Sequence, residues 1–266
     1  MSLGVLLGRD HIELGRIATI AEASVAIALS RGGAAKTYHH REPNEDAVGF
    51  RRGPGGSVLV AADGHGGTDA AELAVERVLE NLGRDWVGSS AQGDDWDPMA
   101  RALVGEIHAG VLAAVAGGGN AEARSTLAFS VIRPDQGQIY WASIGDSHIF
   151  RVARNEVIEL TGDDEQATFY LGSPHHSENA MRARVRSGQN SLADTRAMIL
   201  STDGLSERGI GVDLPEAAVL EAVDRAARLD ADLAPLETAR HLVELALEAH
   251  RRHKAGDNMA TAVHWF

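Results

Sequence analysis

The sequence contains no cysteine, which excludes disulfide frameworks, thiolate nucleophiles and zinc held by thiolates. Positive charge is scarce as well: 25 Lys and Arg stand against 38 Asp and Glu, a formal net charge of -13. Generic nucleic-acid binders gain most of their affinity by setting cations on phosphates, so no nucleic-acid partner is expected. Near the N-terminus the longest apolar run, Ser24-Val25-Ala26-Ile27-Ala28-Leu29, follows no basic stretch and is far too short to cross a bilayer. Neither a membrane partner nor a signal segment is expected, and a cytoplasmic location is the default reading.

What remains is ordinary for a globular chain, with 44% hydrophobic and 24% charged residues over 266 positions, enough for one domain with a substantial core. Apolar, β-branched content predicts strands over 24–29 and 57–62, bounded by Gly-Gly and Gly-Pro-Gly-Gly turns. From Asp69 the period changes to 3.6 with Leu73, Val75, Val78, Leu79 and Leu82, and a second helix is predicted from Pro98 to Val115. Strand candidates at 125–132, 138–144 and 148–153 follow in close order and read as an antiparallel meander, with Gly145-Asp146-Ser147 as a hairpin turn. The polar stretch from Thr161 to Asp194 reads as an inserted flap with little regular structure. A strand over 196–202, helices over 215–228 and 235–252, and a last strand over 259–266 complete the pattern. Strands grouped around two helix pairs predict an α+β fold, an α-β-β-α sandwich of two mainly antiparallel sheets with helices outside. Residues 1–23 read as an extension ahead of a domain spanning 24–266, and no internal repeat is visible.

Short acidic segments punctuate this pattern: Arg41-Glu42-Pro43-Asn44-Glu45-Asp46, Asp63-Gly64-His65-Gly66-Gly67, Gly145-Asp146-Ser147, Asp203-Gly204-Leu205 and Gly256-Asp257-Asn258. Asp63 and Asp203 each end an apolar strand and are followed at once by Gly, so the strands would deliver them to one edge of a sheet. Such rigid, partly dry carboxylates suit hard divalent cations, and a sharp turn at Gly64 can free a carbonyl as a further ligand. A metal pair of this kind activates water and clamps phosphoryl oxygens during in-line attack.

In this order and spacing the segments resemble the PP2C (PPM) metal-dependent protein serine/threonine phosphatases, in their bacterial style. The resemblance covers about Ser24 to Phe266. It implies hydrolysis of phosphoserine and phosphothreonine in proteins by a water or hydroxide bridging two Mn2+ or Mg2+ ions, with no phosphoenzyme. Asp63 would bridge the ions, Glu45 and the Gly64 carbonyl would complete one side, and Asp203 with Asp257 would hold the other. Asp146 would join Asp203 at a third, weaker metal site. Asp46 would bond metal-bound water, and Asn258 would order the Asp257 loop. Arg41 matches the position that binds the substrate phosphate, and His65 matches the general acid that protonates the leaving oxygen. A stand-alone signalling phosphatase opposing a serine/threonine kinase is implied.

The sequence departs from the family pattern at His148, where arginine is usual, at Asp163-Asp164, where an Asp-His pair is usual, and throughout the flap. The altered flap leaves two alternatives: a catalytically weak domain that captures phosphoproteins, and a phosphatase for small metabolites. His39-His40 and His175-His176 read as solvated loop residues rather than a transition-metal site, since adjacent histidines rarely converge on one ion. Arg182, Arg184 and Arg186 read as one exposed strand face, and Trp86, Trp96 and Trp141 as core edges.

Overall fold

The computed structural model describes residues 1–85, 95–154, 156–162 and 169–266. Two apolar environments alternate along its strands. In β5 (Gly56–Ala62), Val58, Val60 and Ala62 join one buried cluster while Leu59 and Ala61 join another. A strand apolar on both faces must be covered on both, which dictates stacked layers. One six-stranded sheet runs β1 (Ser2–Leu7), β4 (Ala47–Gly53), β5, β8 (Leu127–Arg133), β9 (Gln138–Ile144), β12 (Arg186–Ser191). The other runs β11 (Val157–Glu159), β10 (His148–Ala153), β13 (Thr195–Ser201), β14 (Met259–Trp265), β3 (Val25–Ser30), β2 (Ala18–Glu22). The pairings within both are antiparallel. A short ladder joins β6 (Gly64–His65) to β7 (Arg124–Ser125).

Ile27, Leu29, Leu59, Phe50, Ile149 and Leu200 fill the space between the sheets, each worth about 1.5–3 kcal/mol of burial. Outside the first sheet lie α1 (Asp69–Asp85) and α2 (Trp96–Ala116), which bury Val75, Val78, Leu82, Val104 and Ile107 against it. Outside the second lie α4 (Pro215–Ala226) and α5 (Ala234–His253) with Val219, Val223, Leu242 and Val243. Prolines in the first turns of α4 and α5 preset φ where no intrahelical N–H is needed. The result is the helix-sheet-sheet-helix sandwich expected from the sequence. By length and composition α2 is apolar enough to cross a membrane, and here Leu103, Val104 and Ile107 on it pack into the core.

Three expectations are corrected. The strands at 138–144 and 148–153 do not continue a meander: β9 pairs with β8 and β12, whereas β10 pairs with β11 and β13 in the other sheet. Gly145-Asp146-Ser147 is therefore a crossing between sheets, turned by Gly145 at φ +87, where an added Cβ would lie 2.8 Å from Thr126. The flap contains α3 (Glu178–Arg184), capped by the Ser177 hydroxyl accepting the Ala180 N–H at 3.2 Å, and then β12. Arg182 and Arg184 are thus helical and only Arg186 lies on a strand. Residues 1–23 are no mere extension, because β1 and β2 cover the outer edges of β4 and β3, edges whose N–H and C=O groups would otherwise stand unpaired.

His175 is exposed, while His176 stacks on Phe169. Trp96 is buried and donates its indole N–H to the Trp141 carbonyl. Trp86 and the Asp163-Asp164 pair lie outside the described residues.

Candidate metal centre

Antiparallel register gathers the acidic segments at one end of the sandwich. Ala47 pairs with Ala62, which sets Glu45-Asp46 beside Asp63-Gly64. Leu127 pairs with Ile144 and His148 with Ser201, which bring Asp146 to Asp63 on one side and to Asp203 on the other. Ser201 pairs with Thr261, and Thr202 N–H donates to the Ala260 carbonyl, so Asp257-Asn258 arrives next to Asp203.

Asp63, Asp146 and Asp203 each offer a carboxylate oxygen within 4.8 Å of the others. Asp63 is buried, and the other two lie at the mouth. Among the described residues, buried oxygens of Asp46, Asp63 and Asp146 have no hydrogen-bond partner, an arrangement that is costly unless a cation fills it. Burial, then the Asp63 charge, pushes the Asp46 carboxyl far above the usual carboxylate range. Burial with Asp63 and Asp257 does the same to Asp203, and burial with Asp63 raises Asp146 to about 6. Asp63 goes the other way: burial opposes its charge, but His65 and Lys36 outweigh it and lower its pKa. An all-oxygen, charge-frustrated donor set fits Mg2+ or Mn2+.

Glu45 and Asp257 are differently placed. Glu45 Oε1 accepts the backbone N–H groups of Arg41 and Glu42 at 3.1 and 3.2 Å. Asp257 Oδ1 accepts the Asn258 N–H at 2.7 Å and the Tyr38 hydroxyl. Between them sits the ammonium of Lys36, 3.8 Å from Glu45 Oε2 and 3.5 Å from Asp257 Oδ1, on a side chain only 3% exposed. Burial disfavours its charge, yet Asp257, Asp63, Asp46 and Glu45 together push its pKa up. Sequence reasoning missed Lys36 and Tyr38. The available signal was scarcity, since Lys36 and Lys254 are the only lysines in the chain.

The glycines that follow the acids make room for backbone rather than turns alone. A Cβ on Gly64 would lie 2.2 Å from the Glu45 carbonyl oxygen, and one on Gly204 would lie 1.8 Å from that of Asn258. Side chains then lock these contacts. Asp63 N–H donates to Thr126 Oγ1 at 3.0 Å, and Thr126 N–H returns a bond to the Asp63 carbonyl. Thr202 Oγ1 donates to Asp46 Oδ2 at 2.8 Å and accepts the Ala260 N–H. Asn258 accepts the Glu45 N–H and donates to the carbonyls of Arg31 and Pro43, binding three loops together. Buried His250 accepts the Gly33 N–H on Nδ1 and donates from Nε2 to the Gly204 carbonyl.

His65 lies at the mouth with Nε2 2.9 Å from Asp63 Oδ2, an ion pair that is not aligned as a hydrogen bond. The Asp63 charge raises His65 to about 9, so it carries a proton at neutral pH. Tyr170 meets its ring edge-on at 4.7 Å. Arg41 is exposed, and its side chain lines an open cleft with Asp69, Gly119, Asn120 and Glu122 rather than joining the carboxylates.

The family model described as protein phosphatase 2C matches residues 34–253. Among solved structures, a bacterial serine phosphatase superposes with a TM-score of 0.66 at 17% identity, covering 92% of this chain and 98% of that one. Serine/threonine phosphatase Stp1 from Staphylococcus aureus gives 0.64 at 17%, over 96% and 98%. The Mycobacterium tuberculosis serine/threonine phosphatase PstP/Ppp gives 0.62 at 20%, over 94% and 98%. At such identities the superpositions establish the fold. No curated protein sequence matches the chain.

Proposed function

The chain belongs to the protein phosphatase 2C family of serine/threonine phosphatases, and from that premise we propose that it dephosphorylates phosphoserine and phosphothreonine in proteins at the acidic mouth formed by Asp63, Asp146 and Asp203. The observation that carries this reading is the convergence of those three carboxylates, with buried oxygens of Asp63 and Asp146 that have no hydrogen-bond partner among the described residues. Two Mn2+ or Mg2+ ions would be held with Asp63 shared, Glu45 and the Gly64 carbonyl on one side, and Asp203 and Asp257 on the other. Asp146 with Asp203 would offer a third, weaker position. Divalent cations at this centre would supply a water activated for direct attack on phosphorus and neutralise the phosphoryl oxygens.

The protein's own groups do the rest. Asp46, held by Thr202, accepts a hydrogen bond from the attacking water and orients it. Arg41 on the rim offers a planar guanidinium that engages two phosphoryl oxygens at once. His65, protonated beside Asp63 and open to the mouth, gives its proton to the departing serine or threonine oxygen. A phosphoprotein substrate places the enzyme opposite a serine/threonine kinase, and we place both in the cytoplasm.

Asp203→Asn tests this reading, because it removes a charge from the cluster while keeping its shape. Manganese-dependent hydrolysis of an aryl phosphate should fall by about 10³-fold, the scale of several kcal/mol of cation-borne stabilisation, with the circular dichroism spectrum unchanged. Undiminished turnover would reject the site. Faster release of phosphate from sugar phosphates than from phosphothreonine peptides would reject the substrate class.

A further inference from the structure

The carboxylate centre is asymmetric, and the asymmetry follows the position of one side chain. On the side of Asp46, Asp63 and Asp146, one buried oxygen of each has no hydrogen-bond partner among the described residues, His65 meeting Asp63 only as an unaligned ion pair. On the other side, Glu45 and Asp257 share the Lys36 ammonium, and their remaining contacts are backbone N–H groups and the Tyr38 hydroxyl. We propose that Lys36 is a resident cation standing between Glu45 and Asp257, one residue from each of the two metal positions above, so that divalent ions load in sequence: the first at Asp63 and Asp203, the second only by displacing Lys36. This rests on the phosphatase reading above, which needs metal at both positions.

The placement is built by the backbone. Gly256 N–H donates to the Ala35 carbonyl at 3.0 Å, and a Cβ on Gly256 would lie 1.8 Å from the Ala34 carbonyl oxygen. The chain therefore passes directly over the residue before Asp257, and the Lys36 ammonium that follows lies against Glu45 and Asp257. Its Nζ stands over the Tyr38 ring, 5.2 Å from the ring centroid, while the Tyr38 hydroxyl reaches the same Asp257 oxygen. Residue type matters too. An ammonium is a compact point charge that can stand where a metal ion stands, whereas a guanidinium is a planar fork. In a chain whose cations are otherwise nearly all arginine, a lysine fills this position. Its 3.5 and 3.8 Å separations exceed those of tight hydrogen bonds, so the pair attracts without the short contacts that would make the ammonium hard to displace.

The test is manganese binding to the chelator-stripped full chain, wild type against Lys36→Met, by calorimetric titration with Mn2+ alone and by thermal melts with and without Mn2+. Wild type should bind one ion tightly and a second at least tenfold more weakly. Lys36→Met should bind the second at least tenfold more tightly than wild type does, melt lower than wild type when metal-free, and recover when Mn2+ saturates it. A variant that folds only with Mn2+ present is the extreme form of the same result. Equal second-ion affinity in the two proteins overturns the proposal. So does a melting deficit that persists at saturating Mn2+, because it would make Lys36 a packing residue. If wild type hydrolyses aryl phosphate while the two isotherms coincide, this inference fails alone; if the chain neither binds Mn2+ nor hydrolyses, the phosphatase reading fails and takes it along.

Discussion

Gly204→Ala isolates the contact that sets Asp203 against Asp257. Gly204 lies in a short 3-10 turn, Asp203–Leu205, and is not among the residues with positive φ, so alanine suffers no backbone penalty there. The whole effect is steric. The new Cβ would lie 1.8 Å from the Asn258 carbonyl oxygen and 2.8 Å from its carbon, both backbone atoms, and the first separation has to grow to at least 3.0 Å. Backbone cannot rotate aside as a side chain can, so the cost belongs at the upper end of overpacking, about 3 kcal/mol. For a chain of this size that is a melting point lowered by roughly 6–12 °C.

The same displacement separates Asp203 from Asp257 by an ångström or more, and misplacements of about 1 Å in an active site cost about 10²-fold in rate. The assay pairs a thermal melt with manganese-dependent aryl phosphate hydrolysis. Gly110→Ala is the control, because its Cβ would meet nothing nearer than Leu73 at 3.7 Å inside a helix. It should leave turnover unchanged and raise stability by up to about 1 kcal/mol. A Gly204→Ala protein that melts and turns over like wild type would refute the idea that motif glycines space the ligands.

Asn258→Ala removes one acceptor and two donated hydrogen bonds, leaving the buried Glu45 N–H unpaired; we expect about 3 kcal/mol lost in urea unfolding, and a loss under 1 kcal/mol would contradict the clamp. His264 is buried, its Nδ1 has no partner among the described residues, and burial with the Arg52 charge lowers its pKa from 6.5 to about 3. Between those values the unfolded chain binds the proton and the folded chain does not, so stability falls as pH falls, by about 2.5 kcal/mol from pH 7 to 4.5. His264→Gln should remove that part of the acid slope in urea titrations at the two pH values, and an unchanged slope would locate the acid sensitivity elsewhere.

Where a strand begins and ends was legible because apolar runs such as 57–62 are bounded by Gly and Pro. Which sheet it joins was not. Gly145-Asp146-Ser147 has the composition of a hairpin, and only the partners on either side show that β9 and β10 part company there. β12 was invisible for a different reason: Arg-Ser-Gly-Gln-Asn-Ser has no alternation to read, since this edge strand is held to β9 by backbone pairing. β1 and β2 were missed likewise as edges. At the site, the acids announced themselves through Asp-Gly and Gly-Asp spacing. Lys36 did not, because nothing in Ala34-Ala35-Lys36-Thr37 marks a loop that will turn its cation inward; the contact with Gly256 decides that, and it spans most of the chain.

That long-range contact points to how the centre is assembled. Gly64 admits the Glu45 backbone, Gly204 admits the Asn258 backbone, and Gly256 admits the Ala34 backbone. In each case the glycine beside an acid is the spot where another loop of the site crosses. The acids are thus positioned by main chain against main chain, with Thr126, Thr202 and Asn258 fastening the crossings by hydrogen bonds. Such contacts hold the carboxylates in position more rigidly than rotatable side chains do. They also bury negative charges side by side, and burial first, then the neighbouring charges, drives Asp46 and Asp203 toward protonation. A cage that cannot relax apart must be filled by cations, and among the described residues Lys36 is a cation that the chain itself sets between Glu45 and Asp257.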